Sequence, residues 1–397
     1  MGKTQLLAVV CALSCMQAEA WAQFDHSMAP AAYAPGQGPM QGMSPAPVYG
    51  SGPAYGGPQG PGPYGPGPAT PQANMPMPDV GGTPAGAYMD NPSPYACHDW
   101  IGFGEFMYMR PRNATVAYGT VFNGPPDTPP GAATPVQVAP TGQVSLDYQP
   151  AWRAGLSRSL DETTALEISY SHFQGDNSDT ISTDTYEIRS LVSHPSTWTS
   201  NSASDYVSAT ATDRILYDLG DVDFRWVCGC DHDYTVSMVA GVRYASLKQD
   251  FEGDFTTGSG TTENVITHIH FEGAGLRFGL EGEKRGAMGL YVYGKSAASL
   301  VAGSARTSYV QSETSAPDEV DTGFKADRIV PILDAEVGVG WTTPGDRLRI
   351  SAGYMFSGWF NVVKTNDFIQ AVQSNNFNGM SQTLTFDGFV GRAEVRL

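Results

Sequence analysis

From Val265 to Ala302 the hydrophobic and polar positions alternate in steps of two. Ala274, Leu276, Phe278 and Leu280 share one face, and Gly275, Arg277 and Gly279 share the other. A charged turn, Glu281-Gly282-Glu283-Lys284-Arg285-Gly286, follows. Met288, Leu290 and Val292 then alternate with Gly289, Tyr291, Tyr293 and Lys295. Successive side chains of a strand point to opposite faces, so this period predicts a long two-faced β-hairpin. One face is apolar. The other mixes glycine, tyrosine and single charges and is too polar for a dry sandwich core. A closed barrel in a bilayer, with lipid outside and a wet lumen inside, suits both faces.

The same period lays out the rest of the chain. Strands are expected over Trp100 to Tyr118 (kinked at Pro111), Val144 to Ser159, Thr164 to Gln174, Asp213 to Val227 and Tyr234 to Asp250. The hairpin above supplies two more, and Arg328 to Trp341, Arg347 to Val363 and Thr383 to Leu397 complete ten. Short turns fall near residues 161, 230, 283 and 344, and long loops near 130, 190, 257, 315 and 372. Sorting of connections by length is a property of outer-membrane barrels, whereas a soluble sandwich has no reason for it. The expected fold is therefore all-β: an antiparallel transmembrane β-barrel over residues 98–397. It has ten strands, with Tyr186 to Val192 or Ser204 to Thr212 either a strand extension or an extra hairpin that makes twelve.

The N-terminal region reads differently. Lys3 precedes a short apolar run, Leu6 to Leu13, too short to span a bilayer, and Ala20-Trp21-Ala22 fits a small-x-small cleavage site. Residues 1–22 are expected to be a signal peptide, with Ala18-Glu19-Ala20 the alternative site. Lipid attachment at Cys15 is disfavoured because Ala12 stands where a branched aliphatic is usual. Residues 23–97 are rich in proline and glycine without a strict three-residue period, carry little charge and cannot bury a core. They are expected to form a disordered periplasmic arm, a spacer or a tether to cell wall or a surface partner. No later window approaches 18 apolar residues, so a mature membrane span must be a barrel. The formal net charge of −18 over 397 residues argues against a nucleic-acid partner.

Aromatic residues are expected to mark two interfacial girdles. Trp100, Trp226, Tyr234, Trp341 and Trp152 fall near the short-turn ends, and Tyr170, Phe251, Trp359 and Phe360 near the long-loop ends. The last strand alternates Phe389, Gly391, Ala393, Val395 and Leu397 with Val390, Arg392, Glu394 and Arg396, resembling a signal for barrel-assembly machinery. Two stretches carry family resemblances. Trp100-Ile101-Gly102-Phe103-Gly104-Glu105-Phe106-Met107-Tyr108-Met109-Arg110-Pro111-Arg112-Asn113-Ala114, after a Pro/Gly-rich arm, resembles the start of planctomycete β-barrel porins. Gly241-Val242-Arg243-Tyr244-Ala245, Phe271 to Gly279 and Gly289 to Gly294 resemble the Legionella-type major pore-forming outer-membrane proteins. Both imply a pore-forming barrel in the bacterial outer membrane and supply no catalytic residue.

Candidate chemistry is sparse. Charges expected to face inward and line a pore are Arg153, Asp223, Arg225, Arg243, Arg277, Lys295, Glu336, Arg347, Arg349, Arg392 and Glu394. Cys97, Cys228 and Cys230 allow a disulfide in an exported protein, with one thiol left over. The same cysteines with His98 and His232 could suit zinc, but C-x-C is not the usual spacing, and no metal or other cofactor is expected. His172, His268 and His270, with Asp176 and Asp179, read as rim residues, and no hydrolase or phosphate-loop motif appears, so no enzyme is expected. Two functions remain open. One is a narrow passive pore for small polar solutes and ions. The other is a structural or adhesive barrel with a filled lumen, its loops or arm binding a partner. Outer-membrane lipid is the common partner of both, and the sequence leaves the oligomeric state open.

Overall fold

The computed structural model describes residues 99–124, 135–195, 206–230, 233–314 and 316–397. The expected signal peptide and arm, and with them Cys97, lie outside the described residues. In chain order come β1 (Trp100–Arg112), β2 (Val116–Phe122), β3 (Gly142–Val144), β4 (Gln149–Ser159), β5 (Thr164–Ser182) and β6 (Glu187–Ser190). Then follow β7 (Tyr206–Cys230), β8 (Tyr234–Thr257), β9 (Thr262–Arg285), β10 (Leu290–Glu313), β11 (Ala316–Thr342) and β12 (Leu348–Val362). A helix, α1 (Thr365–Ser374), precedes β13 (Gln382–Arg396).

Ten of these strands close a ring in the order β1, β4, β5, β7, β8, β9, β10, β11, β12, β13 and back to β1. Every pairing in the ring is antiparallel. The seam between the chain's first and last strands runs from Ile101↔Arg396 to Arg112↔Thr385. Beyond it the Leu397 amide donates to the Trp100 carbonyl at 2.8 Å. Closure leaves the ring without an edge, which hydrocarbon would not tolerate. The ten-strand reading agrees with this ring and the twelve-strand alternative does not. Glu187–Ser190 is a strand, but it pairs with β2 and meets β7 only at Ile188↔Tyr206.

The walls are longer than the sequence pattern suggested. The stretches read as long loops near 257 and 315 are the upper parts of β8 to β11, strands of 24 to 27 residues. Their outward positions are acidic or small, as at Asp250, Glu252 and Asp254, and that composition reads as loop. On β8 to β10 nearly every second residue is nevertheless buried, including Phe251, Phe255, Val265 and Tyr309. At about 3.3 Å per residue such a strand runs roughly 80 Å, whereas a bilayer needs only about 9–11 residues. The expected single strand from Trp100 to Tyr118 is two. Asn113, at φ 60°, turns the chain off the wall after β1, a left-handed conformation that asparagine tolerates.

Outward-facing apolar residues form a continuous band. It includes Phe106 on β1, Leu156 on β4, Ile168 on β5, Val242 on β8, Leu276 and Phe278 on β9, and Val337 and Val339 on β11, all exposed. Trp100 and Trp341 stand exposed at the short-turn rim, and Tyr108, Tyr170, Tyr244 and Tyr354 at the opposite rim. Trp152 belongs to this second rim, 5.5 Å from the Tyr170 ring, and not to the short-turn end. Phe251 and Trp359 do not belong to a girdle at all, since both point inward and are buried. From Trp100 to Tyr108 the band is nine residues tall on β1, which at the usual barrel tilt gives about 25 Å.

Beyond the band the bore is filled. Segments between wall strands supply Val116, Tyr118 and Val121 from β2, Val144 from β3, Ile188 from β6, and Phe368, Ile369 and Val372 from α1. They join inward wall residues such as Phe255, Tyr309 and Leu384 in one apolar cluster. Burying each such side chain contributes about 1.5–3 kcal/mol. Polar anchors fix the plug. Tyr309 donates to the Val192 carbonyl at 2.8 Å, and the Gln373 amide on α1 donates to the carbonyls of Leu191 and Ser193 at 2.8 and 2.9 Å. Gln249 on β8 donates to the Val363 carbonyl at 2.7 Å. Asn375 ends α1 in the left-handed conformation, with its amide on the Val372 carbonyl.

One group in this region opposes folding at neutral pH. Asp213 on β7 faces inward, 1% exposed, beside its register partners Asn177 and Phe251. Neither carboxyl oxygen meets a side chain, and burial pushes its pKa up to about 8. An acid with a raised folded pKa contributes fully at pH below its unfolded value, about 4, and that contribution is lost as the pH climbs to about 8. Asp213→Asn should leave urea stability in detergent unchanged at pH 4 and raise it by roughly 3–5 kcal/mol at pH 8. A difference between variant and wild type that stays constant from pH 4 to pH 8 would show an ordinary pKa.

Candidate functional site: the charged bore

Within the apolar band the inward positions change character from aromatic to charged. Glu105 on β1, its side chain fully buried, accepts from Arg153 and from Arg392, each at 2.9 Å, with the Lys295 ammonium 3.9 Å away. Arg225 on β7 lies between Glu167 (2.9 Å) and Glu281 (3.0 Å). Arg243 on β8 grips both oxygens of Asp221 at 2.7 Å and reaches Asp334 on β11 at 2.6 Å. Arg277 on β9 joins Asp223 and Asp334, both at 3.1 Å. Lys295 lies 3.5 Å from Glu336, which also accepts the Tyr293 hydroxyl at 2.8 Å. Nearer the short turns, Arg349 pairs with Glu283 and lies over the Tyr291 ring, and Glu394 is shared by Arg392 and Arg396. Several of these contacts cross the bore: β1 to β10, β8 to β11, β9 to β12.

Ten of the eleven expected inward charges are thus brought into a lattice of neighbouring ion-pair clusters inside the bore. Arg347 is not among them. It lies exposed in the turn before β12, because the strand begins one residue later than the pattern suggested. The carboxylates Glu105, Glu167, Asp221, Glu281, Glu283 and Asp334 complete the lattice and were not singled out from the sequence. Asp221 and Asp334 share strand parity with Asp223 and Glu336, a readable signal. Glu105 had none, since its inward neighbours Phe103 and Met107 are apolar.

Water has room between these groups. One space of ≈ 110 Å³ is bordered by Glu283, Arg349, Tyr291 and Glu394, and a second of ≈ 50 Å³ by Arg153, Asp223, Arg277 and Glu336. Each has room for a few waters. The bore is then shut by rings. Tyr217 on β7 stacks on Phe173 at 5.4 Å, meets Phe386 edge-on at 5.0 Å, and lies 5.9 Å from Trp359 on β12. In a ring of ten, β7 and β12 are opposite walls, so this contact spans the whole bore.

The remaining candidates lie on the outer surface. His172 pairs with Asp218 at 2.8 Å, and His268 with Asp250 at 2.7 Å, rather than with Asp176 or Asp179. Among the described residues Cys228 and Cys230 form no disulfide, and both are exposed, the Cys228 thiol on the Val236 carbonyl at 3.3 Å. Their expected partner Cys97, and His98 and His232, lie outside the described residues.

A ring of ten antiparallel strands with an apolar outer band, rimmed by aromatics and enclosing a polar bore, defines an outer-membrane β-barrel. The sequence matches a protein family over residues 93–394. The chain belongs to that family, described as the Legionella pneumophila major outer membrane protein precursor. No curated protein matches the sequence. Among solved structures, the outer membrane protease OmpT of Escherichia coli is similar at 9% identity and TM-score 0.43, covering 75% of this chain and 97% of that one. The toluene transporter TodX of Pseudomonas putida is similar at 7% identity and TM-score 0.28, covering 78% and 93%. A FadL homologue of Pseudomonas aeruginosa is similar at 9% identity and TM-score 0.21, covering 77% and 92%. These likenesses are loose, and the closed ring itself establishes the architecture.

The lattice has a measurable stability consequence. Glu105→Ala leaves Arg153 and Arg392 without their shared counter-ion, and breaking a buried pair from one side costs about 3–5 kcal/mol. Urea unfolding of the detergent-folded barrel should show this loss. The double variant Glu105→Ala/Arg153→Ala should lose less than the two single losses added. A single-variant loss below about 0.5 kcal/mol would mean that the pairs do not hold the bore.

Proposed function

We propose that the protein is a narrow passive pore of the outer membrane, shut in the conformation described here. The observation that supports this is the change of filling inside one bore. Where it stands clear of the apolar band the barrel packs its interior with Phe, Tyr and Ile, so a dry filling is within its means. Within the band it carries charges of both signs with room for water between them, the lining of a route for ions and small polar solutes. Opening requires the Tyr217–Trp359 contact to part and the cross-bore pairs to change partners. A ten-strand barrel lies between the filled eight-strand and the wide sixteen-strand cases, so any route is narrow.

A second reading has its own support. Each inward charge named above is answered by an opposite charge or a hydroxyl, and rings block the bore, as in a structural barrel. Planar-bilayer recording separates the two. The wild type should show small, infrequent openings, and Tyr217→Ala/Trp359→Ala should show frequent ones. Silence from both, with folding verified by circular dichroism, would select the structural barrel. Open channels should prefer cations weakly at 0.01 M salt, because Asp250, Glu252 and Asp254 at the rim act over about 30 Å there. The preference should fade at physiological salt, where the reach is about 8 Å. Strong anion selectivity at low salt would assign control to the bore arginines.

We further propose that the long-strand end faces outward and the short turns face the periplasm, with the Pro/Gly-rich arm, joined through Asp99, on the periplasmic side. On intact cells an impermeant maleimide should label Ser259→Cys, in the β8–β9 turn, and spare the native Cys228 and Cys230. Labelling of the native cysteines without gain at residue 259 would reverse the orientation.

A further inference from the structure

The cations of the bore are not held alike. Arg153, Arg225, Arg243, Arg277 and Arg392 each reach a carboxylate oxygen at 2.6–3.1 Å, as charge-assisted hydrogen bonds do. Lys295 on β10 is the one lysine of the lattice and the exception. Among the described residues it makes no hydrogen bond, and its ammonium stands 3.5 Å from Glu336 and 3.9 Å from Glu105. Its side chain is 25% exposed, more than any of those five arginines.

An ammonium carries three donors, and the carboxylates nearest to this one are already engaged. Glu105 takes Arg153 and Arg392 at 2.9 Å each, and Glu336 takes the Tyr293 hydroxyl at 2.8 Å. Glu281, the register partner of Lys295 on β9, turns to Arg225 at 3.0 Å. The Tyr293 ring, 5.2 Å from the ammonium, offers attraction but no oxygen.

Lys295 borders the space of ≈ 110 Å³ at the short-turn end. Six cations line that space, Arg225, Arg285, Lys295, Arg349, Arg392 and Arg396, against the four carboxylates Glu167, Glu281, Glu283 and Glu394. Glu105, Glu336 and Asp346 stand behind the lining, each bound to a cation or a hydroxyl. Thr235 and Ser237 on β8 and Ser351 on β12 add hydroxyls to it. The space of ≈ 50 Å³ further in has the opposite balance, five cations against six carboxylates. A positive lining is therefore confined to the short-turn side of the bore.

We propose that the larger space is a binding site for one small oxyanion, a carboxylate or a phosphate, and that Lys295 is the side chain that contacts it. A cavity of ~150 Å³ holds the six carbons of benzene, so ≈ 110 Å³ suits an ion of about four or five heavy atoms. The oxygens of the ion give the ammonium the acceptors that the lattice does not. The acid majority of the inner space keeps the ion from moving deeper. The site lies on the short-turn side of the Tyr217–Trp359 contact, so the inference is independent of whether the bore conducts.

The test is isothermal titration calorimetry on the full chain folded in neutral detergent, which reads binding even in a barrel that is silent in bilayers. The probes are sodium phosphate and sodium acetate, each compared with sodium chloride at equal ionic strength. At least one of the two oxyanions should bind saturably, one ion per chain, with a Kd of about 1 mM or tighter. Chloride should not. Lys295→Met should weaken that binding at least tenfold, the weight of one charged hydrogen bond. Lys325→Gln, which removes the same charge from the exposed outer wall, should bind as the wild type does. Circular dichroism and heat-dependent gel mobility verify folding of each variant. A second measurement needs no variant: the oxyanion should protect Lys295 of the wild type from reductive methylation and leave Lys325 as reactive as before. Absence of saturable binding, equal binding of chloride, an unchanged Lys295→Met variant or an unprotected Lys295 would overturn the proposal, and water alone would then complete the ammonium.

Discussion

A peptide group in hydrocarbon has no water to fall back on, and that single constraint shapes this molecule. Each backbone donor and acceptor within the band must find a partner in a neighbouring strand, so the first and last strands have to meet. The seam from Ile101↔Arg396 to Arg112↔Thr385 is where the requirement is met, and the remaining architecture follows from having a ring to fill. Side chains alternate between lipid and interior, and a ring of ten is too narrow to stay empty and too wide for its wall residues alone to fill throughout.

The protein fills that interior in two ways. Within the band, long charged side chains meet across the bore, as Arg243 does with Asp334. Charges in a low-dielectric surround are tolerated only when answered, and here arginine forks and shared carboxylates answer them. Above the band the walls stand in water and no longer need to be short, and inserted segments supply an apolar plug. The aromatic contact from Tyr217 to Trp359 is the boundary between these regimes.

Much of the fold was readable in the chain. Period-two alternation located the ring strands, and the hairpin of β9 and β10 needed nothing else. Where the pattern misled, the reason is physical. Outward Asp, Ser and Thr on the upper strands look like loop, but Phe251 and Phe255 kept the alternation going underneath. The helix within the last expected loop shows its apolar stripe at Phe368, Ile369 and Val372, spaced by one and four, a signal that a search for strands passes over. The bore charges were readable by parity, but their partners were not. Arg392 and Glu105 are 287 residues apart, and only the closed ring brings them together. Glu105 was further hidden because β1 turns apolar side chains both inward and outward.

The plug also joins parts that the chain keeps apart. Its pieces come from three separate places: between β1 and β4, between β5 and β7, and between β12 and β13. Tyr309 ties the second piece to the inner wall through Val192, and Gln373 ties the third to the second through Leu191 and Ser193. All of them lie on the long-strand side of the Tyr217–Trp359 contact, clear of the charged bore. The pieces therefore act as one cross-brace, and the girth of the upper barrel is set by what they fill as much as by the number of strands in the wall.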